Sequence, residues 1–466
     1  MTKRFDLIVR NARLIGSDAT SLAISNGRIA AIGCPADTHG PELDAKGATA
    51  IPGLVDHHIH LLATAAWMQS TNLAGALTKQ ALADRLRGAA AIKPAGEWLR
   101  ATGYDERAAG LLDAAVIDQW VGDRPTRIQD RTGALWMLNS AALALMGDAP
   151  YHGGVETGAD GVPTGRLWRC DDWLRQRLAT KPPSLLALGQ ELLRHGITSV
   201  TDAGADNGPG HATLLGAAVR SGDLPQHLTI MGREDLPSAP DYQVGALKLL
   251  YDEADWPDAA VVSRRIADAR QQGRAVAAHC TTTAELLLYL AALDHAGGAR
   301  AGDRIEHGSM VPRSMIADIA SAGLMVVTQP GFIHDRGDRY LTQVPDHELA
   351  NLYRLRSLLD AGIAVAAGSD APYANINPWI GIQAAQERLT ATDAPLGLSE
   401  AISAADAMAL YSPSGAKRGT AKPIVTLGQV GDLCLASGET AHGSTGAISA
   451  TIIGGRVFEI GPIDEI

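Results

Sequence analysis

Cysteine is scarce in this chain: Cys34, Cys170, Cys280 and Cys434 are the only four in 466 residues. They are scattered and match no zinc-ribbon spacing. Reduced thiols, and with them a cytoplasmic location, are the expectation. Basic clusters are also missing. The formal charge is −11, which argues against nucleic acid or an anionic membrane surface as partner. No apolar run approaches the length of a membrane span. The opening stretch MTKRFDLIVRNARLIG alternates like a strand and lacks the apolar centre of a signal peptide. What remains is a chain long enough for one large core and a small second one, with a small molecule as the expected partner.

Against that background, the histidines stand out. His58 and His60 follow the strand-like run Ile51-Pro52-Gly53-Leu54-Val55. Side chains at i and i+2 of a strand point the same way, so both imidazoles can reach one ion. Other short apolar runs end in similar residues. His279 ends 275–278, His307 ends Asp303-Arg304-Ile305-Glu306, and Asp370 follows 364–369. Lys248 lies inside the apolar run 245–250, where an ammonium must be paired or neutralised. Each has a plainer reading: a hydrogen-bonded core histidine, a helix-capping aspartate, a snorkelling lysine. Their shared register is what argues against coincidence.

That register is a repeat. Lys248 to His279 spans 31 residues, His279 to His307 spans 28, and His307 to Asp370 spans 63, about two units. One strand-loop-helix-loop unit takes roughly 30 residues. Strands are predicted at 51–55, 197–201, 228–231, 245–250, 275–279, 303–307, 324–328 and 363–368. Helices are predicted at 259–272, 282–296, 312–322 and 346–361. Eight such units make a (β/α)8 barrel, an α/β fold whose sites lie at the carboxyl ends of the strands.

The ends of the chain read differently. Residues 1–50 and 420–466 hold short alternating strands with turns such as Asn26-Gly27. Neither end suffices alone. Together they are expected to form a small β-sandwich beside a barrel spanning 51–419. The interruption 61–195 holds Trp67, Trp98, Trp120, Trp136, Trp168 and Trp173, six of the eight tryptophans. A helical insertion with its own core is expected there, which can also serve as an indole-lined pocket wall.

PGLVDHHIH, IEHG and GSDAP, in that order, resemble the amidohydrolase superfamily over essentially the whole chain. Gly103-Tyr104-Asp105, WMLNSAAL (136–143) and Gly161-Val162-Pro163-Thr164-Gly165 are similar to its amidohydrolase family 3 branch, which includes N-substituted formamide deformylase-like enzymes. The resemblance implies a divalent metal centre, zinc by preference, with one or two ions. It implies His58, His60, Lys248, His279, His307 and Asp370 as ligands, with Lys248 carboxylated if two ions are bridged. It further implies hydrolysis of an amide C–N bond (N-acyl, N-formyl or cyclic) by metal-bound hydroxide. Asp370 is then the proton carrier and His307 a ligand or electrophile. Trp136, Trp168, Tyr104 and Arg131 are the candidate substrate contacts, with Arg169 beside them. A homodimer is implied by resemblance alone.

Three departures limit the transfer of a substrate. His279-Cys280-Thr281-Thr282-Thr283 replaces the branch's His-Ala-x-Gly-Asp. Gly133 and Ala134 stand where a histidine is usual. Trp168-Arg169 replaces an acidic position. A mononuclear deaminase is the nearest rival. It would place a glutamate at position 282, which is Thr282, and has no use for Lys248. A non-catalytic scaffold is the other rival, and it should have lost ligands that this chain keeps.

Overall fold

The computed structural model describes residues 4–94, 96–147, 153–178, 182–251, 256–417, 424–437 and 447–461. They form two compact units, 1–61 with 185–466, and 62–184. The larger contains an eight-stranded parallel sheet in sequence order: β1 (Leu54–Ile59), β2 (Ile197–Asp202), β3 (His227–Gly232), β4 (Gln243–Leu249), β5 (Val276–Cys280), β6 (Arg304–His307), β7 (Met325–Thr328) and β8 (Val365–Ala367). It closes just past β8. Asp370 N donates to His58 O at 2.7 Å, and His60 N to Ala371 O at 3.0 Å. This is the (β/α)8 barrel that the repeat predicts.

Gly368 allows that closure, since a Cβ there would lie 2.5 Å from His58 N. Backbone and side chain cannot share that space, so the metal-candidate strand β1 and the end of β8 meet only through a glycine.

The predicted strand 51–55 proves to be two strands. Thr49–Pro52 belongs to a side sheet and Leu54–Ile59 to the barrel. The switch is at Gly53, whose N donates to Asp432 O while Leu54 N donates to Gly196 O, each at 2.9 Å. A Cβ at 53 would sit 2.4 Å from Thr198, so this crossing point needs glycine. As a result His58 lies within β1, and His60 just beyond it.

The helices on the barrel follow ordinary signals. Helix Thr283–His295 starts with Thr282 and Glu285 in a capping box. The predicted helix 346–361 is instead two short ones, Asp346–Leu349 and Arg356–Asp360. Between them Arg354 is drawn inward to the buried Glu400, at 2.7 Å, and a continuous helix would not permit that turn. No described helix is long and apolar enough to cross a membrane.

Beside the barrel lie two small sheets. One runs 28–32, 22–25, 7–10, 42–44; the other 13–14, 49–52, 433–436, 448–453, 456–459. Val9, Leu22, Ile24, Ala50, Leu433, Leu435 and Ile452 fill the space between them, so the sandwich is built from both ends of the chain. The expected boundary at 419–420 lies outside the described residues.

The insertion is not the helical one expected. Unit 62–184 is built on a six-stranded sheet in the order 155–157, 163–168, 135–138, 126–130, 99–104, 71–72, with helices Lys79–Ile92 and Ala114–Val121 packed on it. Its strands are short and glycine-punctuated, as in Arg100-Ala101-Thr102-Gly103-Tyr104. That weakens a period-2 signal, whereas the alanine-rich helices announce themselves.

Candidate metal centre

The barrel brings the sequence-selected ligands of unit 1–61 with 185–466 to one end. Atoms of His58, His307 and Asp370 lie within 4.8 Å of one another, all buried. Asp370 Oδ1 is 3.1 Å from His60 Nε2 and 3.5 Å from His58 Nε2, and its Oδ2 is 3.8 Å from His307 Nδ1. The His279 ring stacks edgewise on His307, centroids 4.5 Å apart. Its Nε2 faces Glu285 at 3.9 Å. Lys248 is buried on β4, with His279 on neighbouring β5.

Two of these residues sit on unusual backbone. His307 has φ +69° and Asp370 φ +54°. Non-glycine residues avoid this left-handed region, and such strain concentrates at functional sites. His307 ends β6, and Asp370 lies three residues past the end of β8.

The electrostatics suit a cation. His58 Nδ1 donates to Glu306 Oε2 in a close contact, and Glu306 is also gripped by Arg304. That leaves His58 Nε2 as a lone pair, and it has no hydrogen-bond partner among the described residues. Burial, and then Lys248, push the His58 imidazole down to about 4, so it is neutral near pH 7 and its lone pair points at a carboxylate. Burial would raise Asp370, but the His60 hydrogen bond and the imidazoles of His307 and His58 outweigh it and hold the carboxyl below its usual range. His307 and His279 are lowered, chiefly by burial. His60 is raised: its contacts with Asp370 overcome burial. Lys248 is lowered, burial again leading, and its Nζ has no hydrogen-bond partner among the described residues. The neutral His58 imidazole, its neighbouring histidines and the ionised Asp370 carboxylate together make a donor set for a divalent ion.

Several supporting residues escaped sequence reasoning. Glu306, Arg304, Asp56 and Gln329 are the main ones. Asp56 Oδ1 accepts from His58 N at 3.1 Å and Ser369 N at 3.0 Å, and so ties β1 to the β8 end. Burial raises the Asp56 carboxyl to about 6. Gln329 Oε1 takes His307 Nδ1 at 2.9 Å, which leaves Nε2 for the site. Glu306 was findable, being a charged residue inside a barrel strand, the same oddity that marks Lys248.

The four candidate substrate contacts all fall in unit 62–184. Tyr104 is 1 % exposed, in its core, with its hydroxyl donating to Gly110 O. Trp136 is 4 % exposed, its indole donating to Asp171 at 2.8 Å. Arg131 is engaged by Glu106 at 3.0 Å and Asp105 at 3.8 Å. Trp168 is 43 % exposed and open to solvent.

With this geometry established, comparison with known proteins is decisive. A profile of the amidohydrolase family matches residues 42–458. The chain belongs to the amidohydrolase family. Membership makes this amidohydrolase a hydrolase, from a metal-dependent family. It is similar to an N-substituted formamide deformylase of Arthrobacter pascens, 24 % identical with 96 % of each chain covered. Two solved structures show the same fold. An uncharacterized metal-dependent hydrolase from Pyrococcus horikoshii has TM-score 0.71 at 19 % identity, covering 87 % of this chain and 91 % of its own. One from Pyrococcus furiosus has TM-score 0.69 at 20 % identity, covering 91 % and 99 %.

The buried Glu306 yields a test on this amidohydrolase. Glu306→Gln keeps the shape and removes the charge that fixes the His58 tautomer. Metal affinity should fall about 10–100-fold, the usual cost of losing such an outer partner. Competition with a chromogenic chelator measures it. Unchanged affinity would mean that Glu306 serves Arg304 alone.

Proposed function

We propose that this amidohydrolase cleaves the C–N bond of an N-acyl, N-formyl or cyclic amide at a divalent metal centre. The observation that carries the reading is the convergence of His58, His60, His307 and Asp370 on one buried point, beside the unpartnered His58 Nε2 and Lys248 Nζ. His58, His60, His279, His307 and Asp370 would hold the ion, zinc by the mixed imidazole and carboxylate set, with carboxylated Lys248 adding oxygen ligands for a second. Such an ion lowers the pKa of water from about 15.7 toward about 7 and polarises a carbonyl oxygen.

The remaining work falls to the protein. Asp370 takes the proton of the attacking water and returns it to the leaving nitrogen. His307 acts as a ligand more readily than as an electrophile, because its Nδ1–H is committed to Gln329 and the ring is neutral. The cavity beside His279, lined by Leu249, Tyr251, Trp256, Val262 and Glu285, has a volume of about 10 Å³, room for a single water and not for a substrate group.

Glu285 bears on the deaminase alternative, since it brings a carboxylate near His279 from outside position 282. Its Oε2, however, accepts from Thr281 N, Thr281 Oγ1, Thr282 N and Thr282 Oγ1 at 2.6–3.2 Å. It is committed to capping the helix, which favours amide hydrolysis. The test is chelation followed by readdition of zinc, manganese or iron, assayed on N-formyl amines, N-acyl amines, cyclic amides and amino-substituted heterocycles. Loss and recovery of amide hydrolysis is expected. Full activity without metal removes the metal reading, and turnover of heterocyclic amines alone removes the amide reading.

A further inference from the structure

Within unit 62–184, two cations stand side by side without an ion-pair partner among the described residues. Arg100 and Arg127 are register partners on neighbouring parallel strands. Their guanidinium carbons lie 5.3 Å and 5.2 Å from the centroid of one indole, Trp136. Arg100 donates to the Ser70 hydroxyl at 2.8 Å and reaches Gln129 Oε1 at 3.5 Å. Arg127 makes no side-chain hydrogen bond among the described residues, and its Nε is buried and unsatisfied. The carboxylate that acts on both, Asp171, accepts the Trp136 indole N–H. Burial pushes both arginines down to about 10, and the charge of Arg127 lowers Arg100 further, with Asp171 opposing the shift in both. Thr102, two residues along from Arg100 and on the same sheet face, also has a buried hydroxyl with no partner.

One arginine stacked on an indole is an ordinary packing arrangement. A second, beside the first, adds repulsion and leaves donors unpaired in a half-buried place. Planar forks of this kind match the oxygens of carboxylates and phosphates. We propose that Arg100, Arg127 and Trp136 form a binding site for the oxyanion group, carboxylate or phosphate, of a small molecule. Arg131, by contrast, is already engaged by Glu106 and Asp105. The site is independent of the proposed reaction.

The test uses the full chain with its metal, titrated at constant ionic strength with inorganic phosphate, acetate or chloride. Melting temperature and tryptophan fluorescence are followed, since a ligand of the native state raises the former. A saturable response to phosphate or to acetate, beyond that of chloride, is expected, and which of the two acts identifies the group recognised. Arg127→Met should weaken binding about tenfold or more, the loss of one fork, without lowering the melting temperature of the ligand-free protein. Arg127→Lys keeps the charge but not the fork, stays close to the parent in packing, and should also bind about tenfold weaker. Anion held at the barrel site would persist in both variants. No response beyond chloride, or equal responses in the parent and both variants, would overturn the proposal.

Discussion

Asp370→Asn should lower kcat by about 10²–10⁴-fold, the usual worth of a positioned proton carrier, with KM nearly unchanged. Asparagine fits the same volume, and the backbone hydrogen bond from Asp370 N to His58 O survives. What disappears is the carboxylate that faces His60 and His58 at 3.1 Å and 3.5 Å. The sign of its pH behaviour follows. The carboxyl is held below the ordinary carboxylate range, so it is ionised throughout the neutral range and available as a base. Metal content measured on the same preparation separates its two roles. Low kcat with metal retained identifies the proton carrier, and low kcat with metal lost identifies a ligand. A kcat within tenfold of the parent would exclude Asp370 from the chemistry.

Lys248→Met is expected to have the second large effect, and in two directions at once. The ammonium is buried, lowered by that burial, and lacks a hydrogen bond. An isosteric apolar side chain removes that cost, so the metal-free variant should be at least as stable as the metal-free parent in urea. If Lys248 bridges two ions, the loaded parent should hold two and the loaded variant one. Its activity should fall by about 10²-fold or more, as for loss of a major electrostatic element. A lysine kept for structure predicts the opposite: lower stability without metal, and one ion in both proteins. Elemental analysis per chain and urea midpoints decide between them.

Much of this was legible in the sequence because barrels write their register into it. A parallel strand buried on both faces is a short apolar run, so a ligand-type residue at its end breaks the pattern visibly. His58, His279, His307 and Asp370 were found that way, and Lys248 as a charge inside such a run. Glu306 broke the same rule. Its partner, His58, lies 248 residues away, and no local pattern marks that contact. The split at Gly53 was hidden, since 51–55 is continuous in hydropathy and only the approach of Thr198 shows why the chain changes sheets there. In the insertion, tryptophan content suggested a substrate wall, but burial assigned Trp136 to the interior and left Trp168 exposed.

Composition, spacing and motif order alone determined the barrel, the two-ended sandwich and the family, because these depend on period and residue type along the chain. Tertiary structure decided which atoms face each other. It set the left-handed backbone at His307 and Asp370, the Glu306 contact that leaves His58 Nε2 free, and the pairing of Arg100 with Arg127. These are meetings between residues far apart in sequence. They are set by strand register and by which buried charges find partners, and no local pattern carries that information.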